Sequence, residues 1–271
     1  MKENRILCVL MPVYNEEKTV SGILDIVSAR PEVAEIIIID DGSSDKSLNV
    51  IENYIANNKK SPVVFKLLNQ DRNMGKGAAI RLGIPEITAP IAIVQDADRE
   101  YTPEDYPAVL KPLLTGKADV VYGSRFQGGN GRVVRFKHML GNKIITLFSN
   151  WFSDLALTDV ESCYKVFRRE VLQNLQLYTC RFGIEVEITA KIAKVRDLNI
   201  YEVPINYFGR TYGEGKKITW RDGVAAFWHI IKFNKFVSKK TFYKKDWDEV
   251  FKYRNKTIES HTNHKNLSGK K

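Results

Sequence analysis

The stretch IAIVQDADRE, residues 91–100, joins a short apolar run to two aspartates, Asp96 and Asp98. Such a β-branched run is typical of a strand buried in a parallel sheet, and we predict a strand over 91–96. Residues at i and i+2 of a strand point the same way, and open α/β sheets bind ligands beyond the carboxyl ends of their strands. The pair therefore predicts a site for Mg²⁺ or Mn²⁺ with a bound diphosphate. The alternative is that the two aspartates cap the next turn.

Strand and helix patterns alternate on both sides of this stretch. Strands are predicted at 6–14, 35–40, 63–68 and 118–123, and helices at 15–30, 44–58, from Gly77, and after the Thr102–Pro103 cap. This alternation indicates a Rossmann-like α/β fold with a mainly parallel central sheet flanked by helices. The second half is less regular. Helices are predicted at 137–152, 182–195 and 218–237, a short strand and helix at 164–175, a strand at 200–208, and loops at 127–131 and 209–217.

The net charge of +10 is concentrated near the C-terminal end. Residues 232–271 carry 12 Lys and Arg against four Asp and Glu, a net of +8. Seven aromatic residues lie among these lysines: Phe233, Phe236, Phe242, Tyr243, Trp247, Phe251 and Tyr253. Such interleaving favours a segment lying on an anionic membrane surface, at about 1 kcal/mol per basic residue. The alternatives are a solvated tail and a tail whose aromatics pack on the domain.

Charge and cysteine usage exclude several classes. A nucleic-acid binder is disfavoured because the basic charge does not cover a groove, and acidic strand ends repel phosphate without a metal. Cys8, Cys163 and Cys180 have no CxxC spacing, which fits buried thiols in a reducing cytosol. The N-terminal MKENRIL runs directly into a strand pattern, and no apolar stretch approaches the ~20 residues of a membrane span. We expect a cytoplasmic protein, soluble or peripheral at a membrane.

Two other predicted strands also end in polar residues. Pro12, Tyr14 and Glu16 close the first, and Asp40 with Asp41 closes the second. A carboxylate there can accept from a base N–H or a ribose hydroxyl, and a tyrosine ring can pack on a base. The alternative for residues 40–43 is a turn that caps the next helix.

Basic residues follow in three loops. The run NMGKGAA, 73–79, lacks P-loop spacing, but a glycine-rich helix start favours anions, so Lys76 is a candidate phosphate ligand, with a structural turn as the alternative. Arg125, Arg132 and Arg135 suit a second phosphate, with solvated surface as the alternative for at least one of the last two. Arg210 and Lys216 lie in the glycine-rich loop 209–217 and are candidate phosphate clamps.

An ordered set of segments carries a family resemblance. They are MPVYNEE (11–17), IIIIDDGSSD (36–45), NMGKGAA (73–79), QDADRE (95–100), VVYGSRF (120–126), YKVFRREVL (164–172), FGIEVEI (182–188) and GRTYGEGKK (209–217). In this order they resemble glycosyltransferase family two, with the GT-A fold. The branch most similar is the dolichyl- and polyprenyl-phosphate mannose or glucose synthases, without the C-terminal membrane helices of many relatives.

The resemblance implies an inverting, metal-dependent enzyme that moves glucose or mannose from a UDP- or GDP-sugar to dolichyl or undecaprenyl phosphate. Pro12, Tyr14, Glu16 and Asp40 match nucleoside-binding positions. Lys76 is added to the donor site because of its glycine-rich helix start, not through the resemblance. Asp96 and Asp98 match the metal–diphosphate motif, and Glu100 stands as a third metal ligand where the archaeal mannose synthase pattern has Gln. Arg125 matches an acceptor-phosphate arginine, and Arg210 and Lys216 match the loop that closes on the donor. Asp98, Arg125, Arg210 and Lys216 are thus the expected catalytic residues.

The implied organisation has three parts. Residues 1–218 form the GT-A domain, 219–258 an amphipathic basic and aromatic segment for a membrane surface, and 259–271 a disordered tail. Expected partners are a nucleotide-sugar, a lipid phosphate, an anionic membrane surface at its cytoplasmic face and a membrane-anchoring protein.

Two other functions stay open. A glycosyltransferase extending a glycan or glycolipid would need a base for a sugar hydroxyl, for which Asp159, Glu161, Glu185 and Glu187 are available. A nucleotide-sugar-binding regulatory subunit is the non-enzymatic alternative.

Overall fold

The computed structural model describes residues 5–128, 133, 135–210 and 220–252, with only the backbone at 220 and 221. Its strands form one seven-stranded sheet in the order β3-β2-β1-β4-β6-β5-β7. They are Leu7–Val13 (β1), Val33–Asp40 (β2), Val64–Asn69 (β3), Ile91–Val94 (β4), Val120–Ser124 (β5), Lys165–Arg168 (β6) and Ile200–Pro204 (β7). Only β6 among these runs antiparallel to its neighbours. The predicted mixed, mainly parallel α/β sheet is confirmed.

The first eight helices that the structure describes follow the predicted order, and the ninth was not predicted. The helices are Val20–Ser28 (α1), Ser47–Asn57 (α2), Lys76–Gly83 (α3), Tyr106–Leu114 (α4), Phe136–Ser153 (α5), Arg169–Asn174 (α6), Ile184–Ile192 (α7), Trp220–Ile231 (α8) and Trp247–Phe251 (α9). Helix α8 continues into a π-helical turn, Lys232–Phe236. None of the helices in the described ranges is long and apolar enough to cross a bilayer.

Helix α1 begins later than predicted, and the reason is local. Asn15 has a left-handed φ of 50°, and its side-chain oxygen accepts from the backbone N–H of Ser44 at 2.8 Å. The residues after β1 are therefore tied to the loop after β2 instead of starting a helix. This tie holds the carboxyl ends of the two neighbouring strands together.

The central strands are buried on both faces, as their apolar composition predicts. In β1, Leu7 to Met11 are fully buried, and in β2 the run Ile36–Ile39 is as well. Continuous burial requires cover on both faces, which is what a parallel sheet with helical crossovers provides. The apolar core therefore fixes these two strands, and Asp40 and Asp41 follow at the carboxyl end of β2.

The C-terminal segment packs on the domain. Phe233 and Phe242 are each 1% exposed, and Tyr243 and Trp247 pack against the core. For these four aromatics the packed alternative holds. Phe236 is 71% exposed, and Tyr253 with the tail 259–271 lies outside the described residues. The boundary at 218 stays a prediction.

Candidate active site

The two aspartates of the opening motif lie in a loop. Strand β4 ends at Val94, two residues before the predicted end, so Asp96 and Asp98 follow the strand. Gln95 anchors the loop, because its buried side chain accepts from the hydroxyls of Tyr106 and Tyr164. The prediction that both aspartates lie on the strand was therefore wrong, although the acids remain at the sheet's carboxyl edge. Asp98 also accepts from the Glu100 N–H at 3.1 Å, so the capping alternative applies to it too.

Arg210 lies at the centre of this acidic edge. Its Nη2 donates to Asp98 Oδ2 at 2.8 Å and to Glu16 Oε1 at 3.1 Å. Its backbone N–H donates to Glu100 Oε1 at 2.7 Å. One arginine thus joins the loop after β1, the loop after β4 and the segment after β7, three regions that the sequence analysis assigned to the donor.

Asp98 is in an unfavourable electrostatic environment. Burial, and then repulsion from the carboxylates of Asp96 and Glu100, raise its pKa to about 7, although Arg210 offsets part of the rise. The carboxylates of Asp96, Asp98 and Glu100 are hard oxygen donors with an excess of negative charge, which is the chemistry that a divalent cation prefers. As they stand, no three acidic, His or Cys side chains in the described ranges are grouped to hold a metal ion. Lys76 pairs with Asp96 and Arg210 with Asp98, so the predicted triad is divided between two cations.

Lys76 faces the same edge from the first turn of α3. Its Nζ lies 2.8 Å from Asp96 Oδ1 and 3.4 Å from Glu185 Oε1. Burial by itself lowers the pKa of Lys76, but Asp96 and Glu185 raise it well above its usual range. The turn before it requires glycine, because Gly75 has φ +96° and a Cβ there would meet the Cys180 carbonyl oxygen at 2.6 Å. Lys76 is thus a fixed positive charge beside the acids.

The end of β2 presents an unsatisfied acceptor. Asp40 is 2% exposed, its Oδ2 accepts from the Ser43 N–H at 3.0 Å, and its Oδ1 is buried without a hydrogen-bond partner. Such an atom is costly unless a ligand donor completes it. The turn alternative therefore holds for Asp40 Oδ2, and Oδ1 stays a predicted acceptor for a ligand donor. Pro12 pairs with Ile39 in the adjacent register, and Tyr14 and Glu16 follow directly.

Asp41 has a role that the sequence analysis missed. Its carboxylate accepts from Gln70 Nε2 and the Met74 N–H, both at 2.7 Å, and from the Gly75 N–H at 2.8 Å. It thereby shapes the loop that leads to Lys76. The Asp40–Asp41 doublet was the available signal, because adjacent residues at a strand end point to opposite sides and cannot share one task.

A second charged unit lies next to the acidic edge. Arg125 forms a bidentate pair with Asp159, Nε to Oδ2 at 2.6 Å and Nη2 to Oδ1 at 2.7 Å. Asn142 of α5 donates to the same Asp159 Oδ1 at 3.1 Å. Tyr207 connects the two units, because its hydroxyl donates to Glu100 Oε2 at 2.8 Å and its ring lies 5.1 Å from the Arg125 guanidinium. Sequence spacing gave no signal for Tyr207.

The four acids considered as bases are in different environments. Glu187 pairs with Lys191 and accepts from the N–H groups of Tyr178 and Thr179. Glu185 pairs with Lys165 and Lys76, and Asp159 with Arg125. Glu161 differs, since its Oε1 is buried without a hydrogen-bond partner. Burial, then repulsion from Glu185, raises the pKa of Glu161 to about 7.

Three more residues were predicted as phosphate ligands. Lys216 and Arg132 fall outside the described residues. Arg135 is exposed at the residue before α5. The described part of the site therefore contains Lys76, Arg125 and Arg210 as its predicted cations, with the acids of the three strand ends.

A family model described as glycosyl transferase family 2 matches residues 8–176, more than half of the chain. The chain belongs to this family. The resemblance inferred from the ordered segments is confirmed, and the acidic edge described above is the candidate active site of a family-2 glycosyltransferase.

Characterised relatives of this family-2 chain include enzymes named for lipid-phosphate acceptors. It is 30% identical over 229 residues to glycosyltransferase AglJ of Haloferax volcanii, covering 83% of this chain and 71% of the relative. It is 31% identical to the dolichyl-phosphate beta-glucosyltransferase ALG5A of Trichomonas vaginalis, over 74% of this chain and 65% of that one. It is 27% identical to a UDP-N-acetylglucosamine–dolichyl-phosphate N-acetylglucosaminyltransferase of Methanococcus voltae, over 84% and 96%.

Among solved structures, the glucosyl-3-phosphoglycerate synthase of Mycobacterium tuberculosis has a similar fold. The TM-score is 0.66 at 18% identity, covering 86% of this chain and 80% of that one. That structure contains Mn²⁺, UDP and phosphoglyceric acid. At this identity the likeness shows the fold, and it confirms the GT-A architecture.

Proposed function

We propose that this glycosyltransferase moves a hexose, glucose or mannose, from a UDP- or GDP-sugar to a dolichyl or undecaprenyl phosphate, with inversion at the anomeric carbon. One observation carries the proposal: Tyr207 joins two charged units. The first is Arg210 with Glu16, Asp98 and Glu100, which we call the Arg210 cluster, and the second is the Arg125–Asp159 pair. The reaction needs such a pair of adjacent anion sites, one for the donor diphosphate and one for the acceptor phosphate. The names of the polyprenyl-phosphate relatives support the same reading.

The donor end would use the residues at the carboxyl edge. Asp40 Oδ1 would accept from the base, with Tyr14 packed on it and Pro12 and Glu16 beside it. Asp98, with Asp96 and Glu100, would hold Mg²⁺ or Mn²⁺, which supplies positive charge to the diphosphate when bound. Arg210 would leave its carboxylates for the diphosphate and, with Lys216 and Lys76, add donors and exclude water.

The acceptor end would need no general base. A phosphate monoester has a second pKa of about 6 and is mostly dianionic at neutral pH, so its oxygen can attack directly. Arg125 would orient this phosphate, and Asp159 would fix the arginine through its two hydrogen bonds. Attack from the face opposite the diphosphate gives inversion.

A sugar hydroxyl as acceptor is the second candidate, and Glu161 is the observation that favours it. Its unpartnered oxygen and a pKa of about 7 suit a general base. The other three acids are poor tests, because each is committed to a lysine or an arginine. For a phosphate acceptor we expect Glu161→Gln to keep near-normal turnover. A loss of more than about 10²-fold would favour the hydroxyl.

The place of action follows from the acceptor. A polyprenyl phosphate resides in a membrane, so we propose a peripheral enzyme at the cytoplasmic face, in contact with an anionic lipid surface or an anchoring protein. A regulatory subunit that only binds nucleotide-sugar is disfavoured, because the acids and arginines that chemistry requires are present.

Radiolabelled transfer tests the proposal. UDP-glucose and GDP-mannose are offered separately with a short, water-soluble polyprenyl phosphate and Mg²⁺ or Mn²⁺. We expect label in a product that mild acid cleaves, and none after EDTA. Asp98→Asn should lower kcat/KM by about 10³-fold, several kcal/mol of charge stabilisation.

The matched control for that variant is Asp25→Asn on the exposed side of α1, which should transfer like the wild type. Retained metal-dependent turnover in Asp98→Asn would remove the metal assignment. Nucleotide binding without transfer to any phosphate would leave a family-2 enzyme with another acceptor.

A further inference from the structure

Helix α5 has its polar face inside and its apolar face outside. Its buried residues are Asn142, Ile145, Thr146, Ser149 and Ser153, four of them polar. Its large exposed residues are Phe136, Leu140, Ile144, Leu147 and Trp151, between 44% and 84% exposed. Helix α1 shows the ordinary arrangement, since it buries Val20, Ile23, Leu24 and Val27. An apolar stripe of five turns facing water marks a surface made to contact something else.

The stripe continues onto α8. Phe148 packs on Phe227 with ring centroids 5.2 Å apart, and Gly223 approaches Ile145. Because both contacts advance together along the chain, the two helices run side by side in the same direction. On α5 the exposed residues directly precede the two contact residues, and on α8 they directly follow them. These exposed residues are Ile144 and Leu147 on α5, and Val224 and Trp228 on α8. At about 100° per residue, these positions face the same side of the pair.

Together these residues form what we call the α5–α8 face. Its members are Phe136, Leu140, Ile144, Leu147 and Trp151 of α5, with Val224, Trp228 and Phe236. Trp228 and Phe236 contact each other, with ring centroids 6.3 Å apart. Eight of the 16 large exposed apolar side chains among the described residues are thus gathered in this face, whereas singly scattered ones would need no explanation.

The charges beside this face are mostly positive, with the exposed Asp154 directly after α5 as an exception. Lys137 and Lys143 of α5 are exposed, and lie three residues from Leu140 on the helix surface. Lys235, Lys239 and Lys240 are exposed after α8, and Lys235 Nζ lies 5.7 Å from the Phe152 ring. Segment 136–153 has no Asp or Glu, and Asp222 is the single acid in 220–240. Apolar and aromatic side chains with lysines around them match the boundary of an anionic bilayer.

We infer that the α5–α8 face docks on an anionic lipid bilayer, with its apolar residues among the acyl chains and its lysines at the headgroups. A second copy of the chain fits less well, because a twofold interface would bring these lysines against one another. This places the membrane contact mainly on α5, and of the seven C-terminal aromatics that the sequence suggested the face includes Phe236.

The docking surface and the acceptor site share one helix. Asn142, on the inner side of α5, donates to Asp159, which holds Arg125. A bilayer on the outer side of α5 therefore lies one helix away from the arginine assigned to the lipid phosphate. This step rests on the proposed function, whereas the docking itself rests only on the face.

Vesicle flotation tests the docking. The full chain is mixed with vesicles of phosphatidylcholine, with or without about a third of phosphatidylglycerol. We expect binding to the anionic vesicles. The double variant Leu147→Ser/Trp151→Ser should bind the vesicles at least about tenfold more weakly, because both apolar side chains are removed from the contact. Lys137→Gln/Lys143→Gln should lower the preference for anionic vesicles by about tenfold.

The matched control is Val64→Ser/Leu114→Ser, which removes two exposed apolar residues elsewhere and should bind like the wild type. Melting curves establish that each variant is folded. The inference is overturned if the wild type does not float, if the face variant floats equally well, or if light scattering shows a dimer that the face variant dissociates. Transfer to the water-soluble acceptor is measured in parallel. Flotation without transfer would contradict the proposed function and still support docking on the bilayer. Transfer without flotation would contradict the docking and still support the proposed function.

Discussion

Arg210 and Arg125 show two ways of placing an arginine among carboxylates. Arg210 is shared among Glu16, Asp98 and Glu100, whose side chains are between 8% and 16% exposed. Arg125 is committed to Asp159, which is fully buried, through two hydrogen bonds in the fork geometry of a bidentate pair. The first arrangement leaves an excess of negative charge, and the second neutralises it.

The difference indicates which unit can change during turnover. Contacts shared among three acids can be exchanged one at a time for diphosphate oxygens, because no single carboxylate holds Arg210 by itself. A buried pair keeps its geometry, because separating it leaves an uncompensated charge in the interior. We therefore interpret the Arg210 cluster as the part that rearranges around the donor, and the Arg125–Asp159 pair as a fixed receptor for the acceptor.

The largest expected effect comes from breaking the fixed pair. Asp159→Ala leaves Arg125, whose side chain is only 13% exposed, without its partner and also removes the acceptor of Asn142. We expect the free energy of unfolding to fall by about 3–5 kcal/mol, measured by urea denaturation.

The double variant Arg125→Met/Asp159→Leu is the control for that loss. It removes both charges, so it should recover most of the stability while remaining inactive. If Asp159→Ala unfolds at the same urea concentration as the wild type, the pair is not a fixed element and the comparison fails.

An intermediate effect is expected from the shared arginine. Arg210→Gln should lower the free energy of unfolding by about 1 kcal/mol, because its partners retain contact with water. Its kcat/KM should fall by about 10²-fold through the loss of a charge-assisted donor to the diphosphate. Denaturation and initial-rate kinetics on one preparation separate the two quantities. Equal losses of stability in Arg210→Gln and Asp159→Ala would contradict the distinction.

The fold could be predicted because apolar patterning decides it. The runs that became β1, β2 and β5 are bounded by turn residues, and each was located within about two residues, the usual limit for an element boundary. The errors occurred where side chains bond to the backbone. Asn15 delayed α1 by tying itself to Ser44, and the loop held by Gln95 ended β4 early. Neither hydrogen-bond pattern recurs at a fixed spacing along the chain, so the sequence pattern did not predict it.

The site could be predicted only as a set of residues. The acids of three strand ends converge because parallel strands end at one edge, which needs no knowledge of contacts. The pairings were not accessible, since Arg125–Asp159 joins residues 34 apart and Arg210–Glu16 joins residues 194 apart. The inside-out character of α5 was also missed, because an amphipathic pattern gives the two faces of a helix without saying which one is buried.

The smallest expected effect comes from Glu161, a carboxyl near the fixed pair whose charge Arg125 compensates only in part. Because Arg125 is bound to Asp159, it and Lys165 offset only part of the burial and the Glu185 repulsion that raise the Glu161 pKa to about 7. A carboxyl whose pKa in the folded state lies above its ordinary value of 4.5 binds extra protons in that state, so stability falls as pH rises from 4.5 towards 7. Glu161→Gln removes this dependence and should melt about 2–4 °C above the wild type at high pH. The two proteins should melt together at low pH. A constant difference in melting temperature across the pH range would show that Glu161 does not titrate in this window. Arg125 would then stabilise the Glu161 carboxylate as well as Asp159.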